Sequence, residues 1–299
     1  MNTHHPNIKT LEKNIKNIHG QRGIDWLNAL PTIQQKLSKF WSLTNIMPVN
    51  NMSYNYVALA LQNNNPVVLK ISCDKQLIQD EYKALKHFNG QGSIRALDIH
   101  SELNALLLEQ AVPGYLLKEH HPEKIADTIH IYSNVVKALA NQPLSDNNYT
   151  HVSQWCKAID RITDSKIEKH FSDKAKKLKS ELLSTTQPEY LCHGDLHLEN
   201  IIKQKENWFA IDPKGIVGEM AFEAAAFDLV SKHELQDESN VPSLMLDRIT
   251  KLSTALDINF DRLLSWIFLR ILISAQWFIE DNGDPSQMLV LAKYIYPLI

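Results

Sequence analysis

The stretch that most constrains this chain is His193-Gly194-Asp195-Leu196-His197-Leu198-Glu199-Asn200. It sets an aspartate after a His-Gly pair and an asparagine five residues beyond it. A second aspartate follows in Ile211-Asp212-Pro213-Lys214-Gly215. Apolar runs lie just before and just after these residues. Such a pattern predicts a loop held between strands, presenting one acid, Asp195, and two groups able to ligate a metal, Asn200 and Asp212. A loop of that kind needs a folded scaffold around it.

The chain is long enough for one large domain or two lobes sharing a cleft, at 299 residues. With 44% hydrophobic and 22% charged residues it reads as a soluble globular protein. The formal net charge of -3, without any Lys/Arg block, argues against a nucleic-acid partner. No uninterrupted apolar run approaches the ~20 residues of a membrane span, and the polar start, Met1 to Lys16, is not a signal peptide. Cys73, Cys156 and Cys192 contain no C-x-x-C pair. They speak against a disulfide scaffold or a cysteine zinc site and for a reducing, cytoplasmic setting.

Periodicity divides the chain into two textures. Residues 10–40 carry a helical apolar stripe through Ile24, Leu27, Leu30, Leu37, Phe40 and Trp41, with Pro31 marking a break or a new first turn. Strands are predicted at 52–61 and 67–71, joined by the turn Asn63-Asn64-Asn65-Pro66. Asp74 is the expected N-cap of a helix through Phe88, and further strands fall at 94–99 and 105–109. Pro113-Gly114 breaks this pattern. Beyond Pro122, helices are expected at 122–141, 151–161, 165–184, 219–231, 243–256, 260–281 and from Pro285. Short strands at 201–203 and 208–211 interrupt them. The fold class is therefore α+β, with a strand-rich N-terminal lobe holding one prominent helix and a larger helical C-terminal lobe. The expected division is 1–112, including a helical extension over 1–45, and 113–299, with the ligand cleft between them.

Phosphoryl transfer asks a protein mainly for positioning and charge neutralisation. Asp195 can meet the attacking hydroxyl, and Asn200 and Asp212 offer the hard oxygens that Mg²⁺ takes. Lys70 lies inside the apolar strand Val67-Val68-Leu69-Lys70-Ile71, where a charge is costly without a partner. Glu81, on the following helix, can be that partner. Asp80 is the neighbouring alternative.

In these segments the chain resembles the aminoglycoside/choline kinase superfamily, and within it the aminoglycoside and hydroxyurea resistance kinases. The resemblance is carried by Ser53-Tyr54-Asn55-Tyr56-Val57, Val68-Leu69-Lys70-Ile71, Glu81-x-x-Ala84-Leu85 and Ala105-Leu106-Leu107-Leu108-Glu109. It continues through His193-Gly194-Asp195-Leu196-His197-x-x-Asn200 and Ile211-Asp212-Pro213-Lys214-Gly215, with Gly218-Glu219. It implies a bilobal protein-kinase-like fold using ATP or GTP with Mg²⁺. By matched position, Asp195 would accept or orient the acceptor hydroxyl. Asn200 and Asp212 would hold Mg²⁺, and Lys70, paired with Glu81, would contact the phosphates. The backbone of Glu109 and Ala111 would serve as the hinge for the nucleobase. His193 and Glu223 would support the loop. No G-x-G-x-x-G lies between the first strands, so side-chain groups of Ser53, Tyr54 and Asn55 would grip phosphate instead. The implied acceptor is a small molecule with a hydroxyl group, an aminoglycoside such as streptomycin. Glu219, Glu280 and Asp281 are candidate acids for a cationic acceptor. Monomer and homodimer both stay open.

Three other readings compete. His193, Asp195 and His197 alternate as metal ligands on a strand face would, which suits a metal-dependent hydrolase. The same kinase fold can serve a different small metabolite. A nucleotide-binding pseudokinase would keep the fold without turnover.

Overall fold

The computed structural model describes residues 8–144, 148–163, 166–185 and 187–299. The chain divides into two compact units. One holds the residues up to Gly90 and Ile94–Gly114, and the other holds Gln91–Ser93 and Tyr115–Ile299.

The first unit opens on helix α1 (Lys9–Phe40), followed by strands β1 (Leu43–Pro48), β2 (Asn55–Gln62) and β3 (Asn65–Ser72). Helix α2 (Lys75–Phe88) and strands β4 (Ala96–His100) and β5 (Ala105–Glu109) complete it. The sheet order is β1-β2-β3-β5-β4, and each neighbouring pair is antiparallel. The first seven residues of the expected N-terminal extension lie outside the described residues. The break in α1 falls at Gly20, whose φ of 53° and ψ of -129° leave the helical region. Only glycine adopts that conformation without a steric penalty. Pro31 instead lies within the second half of the helix. Strand β1 was not expected from the sequence. Its polar, bulged register against β2 hides the alternation that would mark it. Asp74 caps α2 as anticipated, its carboxylate accepting the N–H groups of Gln76 and Leu77. The core of this unit joins Leu11, Ile15, Leu37 and Trp41 to Ala58, Leu69, Ile71 and Leu107.

Strand β6 (Pro113–Leu116) carries the chain onward. The second unit continues with helix α3 (Ile125–Ala140), strand β7 (Thr150–His151) and helices α4 (Val152–Asp160) and α5 (Lys169–Ser184). The expected start of α5 at residue 165 lies outside the described residues. Strands β8 (Glu189–Cys192), β9 (Ile201–Gln204), β10 (Asn207–Ala210) and β11 (Ile216–Glu219) come next. Helices α6 (Met220–Ala224), α7 (Val241–Leu256), α8 (Phe260–Glu280) and α9 (Ser286–Ile295) complete the unit. Helix α6 is far shorter than the stripe at 219–231 suggested.

Two antiparallel pairs nest inside one another in this region. β8 pairs with β11, with Cys192 opposite Ile216, and β9 pairs with β10, with Ile201 opposite Ala210. The loop from His193 to Asn200 and the loop from Ile211 to Gly215 therefore leave the same ends of the two ladders. Helix α8 is long and apolar enough to cross a membrane by length and composition, yet most of that apolar window is buried within the unit. It is the core helix of the second unit, with Trp266 and Phe268 among the fully buried side chains.

Leu69 is fully buried in the middle of the first sheet. Leu69→Ala is expected to destabilise the first unit by about 2–5 kcal/mol through lost transfer energy and the cavity left behind. Urea unfolding followed by tryptophan fluorescence measures this.

Candidate active site

The segment from His193 to Asp195 turns sharply, and Gly194 makes the turn possible. Its φ is 87°, and a Cβ there would lie 2.9 Å from Ile216 Cγ1 and 3.4 Å from Trp155. Both the conformation and the crowding exclude a side chain.

The peptide groups of this turn are fully accounted for. The His193 carbonyl accepts the N–H of Lys214 at 2.7 Å and of Gly215 at 3.3 Å, which ties the two loops together. The Gly194 N–H is shared by both carboxylate oxygens of Glu223 at 3.3 Å. The Gly194 carbonyl accepts Nη1 of Arg270 at 2.8 Å. The Asp195 N–H donates to Nδ1 of His193 at 3.2 Å. The Asp195 carbonyl accepts the His197 N–H at 3.0 Å and Nδ2 of Asn200 at 2.9 Å.

These bonds fix the state of His193. Its Nε2 donates to the Ile211 carbonyl at 2.6 Å, because a carbonyl can only accept. Nδ1 must then be the lone-pair nitrogen that receives Asp195 N–H. Burial holds the imidazole down to about 4, so it is neutral at physiological pH. With both nitrogens committed, His193 has no lone pair for a metal. The hydrolase reading loses its first ligand. Among the described residues no group of three or more His, Cys, Asp or Glu is placed to hold a metal ion.

Asp195 is held half-buried by this scaffold, its side chain 40% accessible. Burial works to raise its carboxyl. The charges of Lys214, His197 and Arg270 outweigh that and hold it below the usual range. Lys214 Nζ lies 3.8 Å from Oδ2. Asp195 is therefore an ionised acceptor, suited to receiving or orienting a hydroxyl proton.

Asn200 and Asp212 come together through the β9–β10 hairpin, since the Ile211 N–H donates to the Asn200 carbonyl at 2.9 Å just beyond the last ladder pair. The amide nitrogen of Asn200 is engaged by the Asp195 carbonyl and by Nε2 of His197. These contacts use the nitrogen end of the amide and not Oδ1. Asp212 has a φ of 61°, unusual for a non-glycine residue and a conformation that collects at functional sites.

In the first unit, Lys70 Nζ lies 2.6 Å from Oε2 of Glu81, with side chains only 3% and 8% exposed. Glu81, not Asp80, is thus the partner of Lys70, and Asp80 accepts Nε2 of Gln76. A buried pair of this kind costs desolvation and is maintained on β3 and α2 by the surrounding core. Ser53 and Tyr54 are exposed, and the Ser53 carbonyl accepts Nδ2 of Asn14. The side-chain oxygen of Asn55 is buried with no hydrogen-bond partner. It asks for a donor or a cation, whereas a phosphate would be met by the Nδ2 end of the same amide. The Glu109 N–H donates to the Arg95 carbonyl at 3.0 Å, so that N–H is not open to a nucleobase. Ala111 is buried.

The three acids expected near an acceptor differ. Glu219 is buried, accepting Nε and Nη2 of Arg262 at 2.6 Å each and Nε1 of Trp266. That is a packing ion pair at the end of β11. Glu280 is held by Arg161 through two bonds of 2.8 and 3.0 Å, and by Gln276. Asp281 is exposed at the C-cap of α8.

Sequence reasoning missed Arg270 and Asp228. Asp228 accepts the Leu198 N–H at 2.8 Å and pairs with Lys118 at 3.3 Å, bracing the far end of the loop. A charged residue inside the apolar run of α8 was the available signal for Arg270. For Asp228, following an apolar segment, no such signal existed.

This is the fold of small-molecule kinases. A thermostable mutant of aminoglycoside phosphotransferase APH(4)-Ia, in ternary complex with ADP and hygromycin B, superposes with a TM-score of 0.67 at 13% identity, covering 89% of this chain and 98% of that one. Choline kinase LicA from Streptococcus pneumoniae gives 0.65 at 16% identity, over 90% and 99%. Streptomycin 6-kinase of Streptomyces glaucescens is 24% identical over 279 residues, 89% of this chain and 90% of that relative. The model of the aminoglycoside/hydroxyurea antibiotic resistance kinase family matches residues 41–282. The chain belongs to that family and is a phosphotransferase with an alcohol group as acceptor.

Glu223 yields a direct test of the loop's electrostatics. Burial pushes its carboxyl up to about 7 against the pull of Arg270 and the Gly194 N–H. A carboxyl raised on folding stabilises fully below its unfolded value, and the benefit is lost as pH climbs towards the folded value. Glu223→Gln does not titrate. Its stability relative to wild type should therefore rise between pH 5 and pH 8 by on the order of 3 kcal/mol. Melting curves of both proteins across that range measure the divergence, and parallel curves would show that Glu223 is not the raised acid.

Proposed function

We propose that this chain transfers the γ-phosphoryl group of ATP or GTP to a hydroxyl of an aminoglycoside such as streptomycin. The observation that carries the reading is the ionised Asp195 on a turn whose peptide groups from the His193 carbonyl to the Asp195 carbonyl are held, with Asn200 and Asp212 gathered beside it by one hairpin. Relatives that cover nearly the whole chain are streptomycin kinases, which supports the acceptor class.

In this reading Asp195 accepts a hydrogen bond from the acceptor hydroxyl and takes its proton as the oxygen attacks phosphorus in line. Lys214, 3.8 Å away, keeps Asp195 in its ionised form before the acceptor arrives. Lys70 contacts the non-transferred phosphates and Glu81 aims it. Ser53, Tyr54 and Asn55 supply side-chain contacts to the phosphates. The first unit is thus the nucleotide-binding lobe, and the Ala111 backbone serves the nucleobase hinge. Asn200 and Asp212 fit Mg²⁺. Both are hard-oxygen donors, the Asn200 amide commits its nitrogen rather than its oxygen to the loop, and one or two protein ligands with phosphates and water are what Mg²⁺ usually takes. Bound there, Mg²⁺ neutralises charge on the nucleotide phosphates. Three buried free cysteines fit a reducing cytoplasm.

A second reading has an observation of its own. With Glu219 and Glu280 occupied by arginines, Asp281 carries most of any recognition of a cationic acceptor. A small neutral acceptor such as hydroxyurea, which the family description also covers, needs no such acid.

Asp195→Ala is expected to lower turnover by at least about 1,000-fold while nucleotide affinity stays within a few-fold. Asn200→Ala is expected to weaken the dependence on Mg²⁺ concentration. ADP and GDP release across streptomycin, other aminoglycosides, hydroxyurea and choline measures both and names the acceptor. Wild-type turnover by Asp195→Ala would overturn the assignment.

A further inference from the structure

Gly194 sits between two charged side chains from distant parts of the second unit. Glu223 of α6 takes its N–H, and Arg270, near the middle of α8, holds its carbonyl. The consequence is clearest for the peptide plane joining Gly194 to Asp195. Its nitrogen end is fixed by His193 Nδ1 and its oxygen end by Arg270 Nη1. The direction of that plane sets φ of Asp195, and so the direction in which the carboxylate leaves the backbone.

Arg270 is itself well located. Its guanidinium lies 4.9 Å from the centre of the Phe222 ring and 5.9 Å from that of Trp155. Trp155 packs edge-on against Phe222 at 5.9 Å and against Trp277 at 5.0 Å. A planar cation between aromatic faces loses less side-chain freedom when it binds than one on an open surface. Nothing in the geometry places Arg270 against a reacting atom. Its hydrogen bond within the loop is to the Gly194 carbonyl.

We propose that Arg270 is a positioning residue for the phosphotransfer reaction, holding the Gly194–Asp195 peptide plane so that the Asp195 carboxylate meets the acceptor hydroxyl. The inference rests on the phosphotransfer reading above. It differs from a simple charge-balancing role for Arg270 beside the buried Glu223, and the two roles separate experimentally.

Arg270→Met keeps the length and apolar contacts and removes the donor. It is expected to lower kcat by about 10- to 100-fold, the scale of an ångström-sized misplacement. KM for ATP and for streptomycin, the probe acceptor, should stay within about threefold. Arg270→Lys, which keeps a charge and a donor, should recover part of that loss. Amide hydrogen exchange across residues 193–200 should accelerate in Arg270→Met and not elsewhere in the second unit. The double variant Glu223→Gln/Arg270→Met removes the buried carboxylate with its counter-charge. If Arg270 positions the loop, this double variant regains thermal stability while kcat stays low. Recovery of wild-type kcat in the double variant would overturn the proposal, as would wild-type kcat and exchange in Arg270→Met. Should Arg270→Met not fold, the Lys variant carries the same comparison, with reduced kcat at wild-type KM expected and unchanged kcat overturning it. Should the wild-type protein phosphorylate neither streptomycin nor any other acceptor, the phosphotransfer reading falls, and the exchange comparison alone decides whether Arg270 holds the loop.

Discussion

A half-buried, ionised carboxylate on a backbone pinned by protein hydrogen bonds is the constraint on which this molecule turns. Loops are usually mobile because their peptide groups bond to water. Here every polar backbone group from the His193 carbonyl to the Asp195 carbonyl bonds to protein. The donors and acceptors come from the next loop, a buried neutral histidine, a buried glutamate and an arginine on the core helix. The nested hairpins, the positive φ at Gly194 and the charge within α8 each answer a part of that requirement.

The electrostatics follow the same arrangement. Glu223 and Asp195 are both carboxylates near Arg270, yet their environments separate them. Burial dominates at Glu223 and pushes it up, while surrounding cations dominate at Asp195 and push it down. Two like groups a few residues apart in space are thereby driven to opposite protonation behaviour by their surroundings.

The chemistry was largely legible in the sequence because motif residues sit close together along the chain. His193 to Asn200 and Asp212 are separated by a single hairpin, so order and spacing alone bring them together. Lys70 and Glu81 could be paired because a lone charge in an apolar strand demands a partner. The helical halves were legible from periodicity. What stayed hidden was long-range or local in a way that periodicity cannot carry. Strand β1 lacks alternation, and the kink of α1 rests on one glycine rather than on the proline that draws the eye. Glu219 and Glu280 look like surface acids until Arg262 and Arg161, far away in sequence, are seen to occupy them. Arg270 lies 76 residues from the carbonyl it holds, a distance that no single-sequence pattern spans.

Helix α8 joins these themes along one axis. Arg262 secures the end of β11 through Glu219, and Arg270 holds the Gly194 carbonyl. Its last turn, with Trp277, Glu280 and Asp281, reaches the surface roughly 15 Å beyond Arg270 at 1.5 Å per residue. Anchoring groups and exposed acids are thus laid out in series along one helix. Glu280 and Asp281 take no part in the bonds that Arg262 and Arg270 make, whereas Trp277 packs on Trp155 beside Arg270. Charge at the surface end of the helix is thus separable from the bonds made at its inner positions.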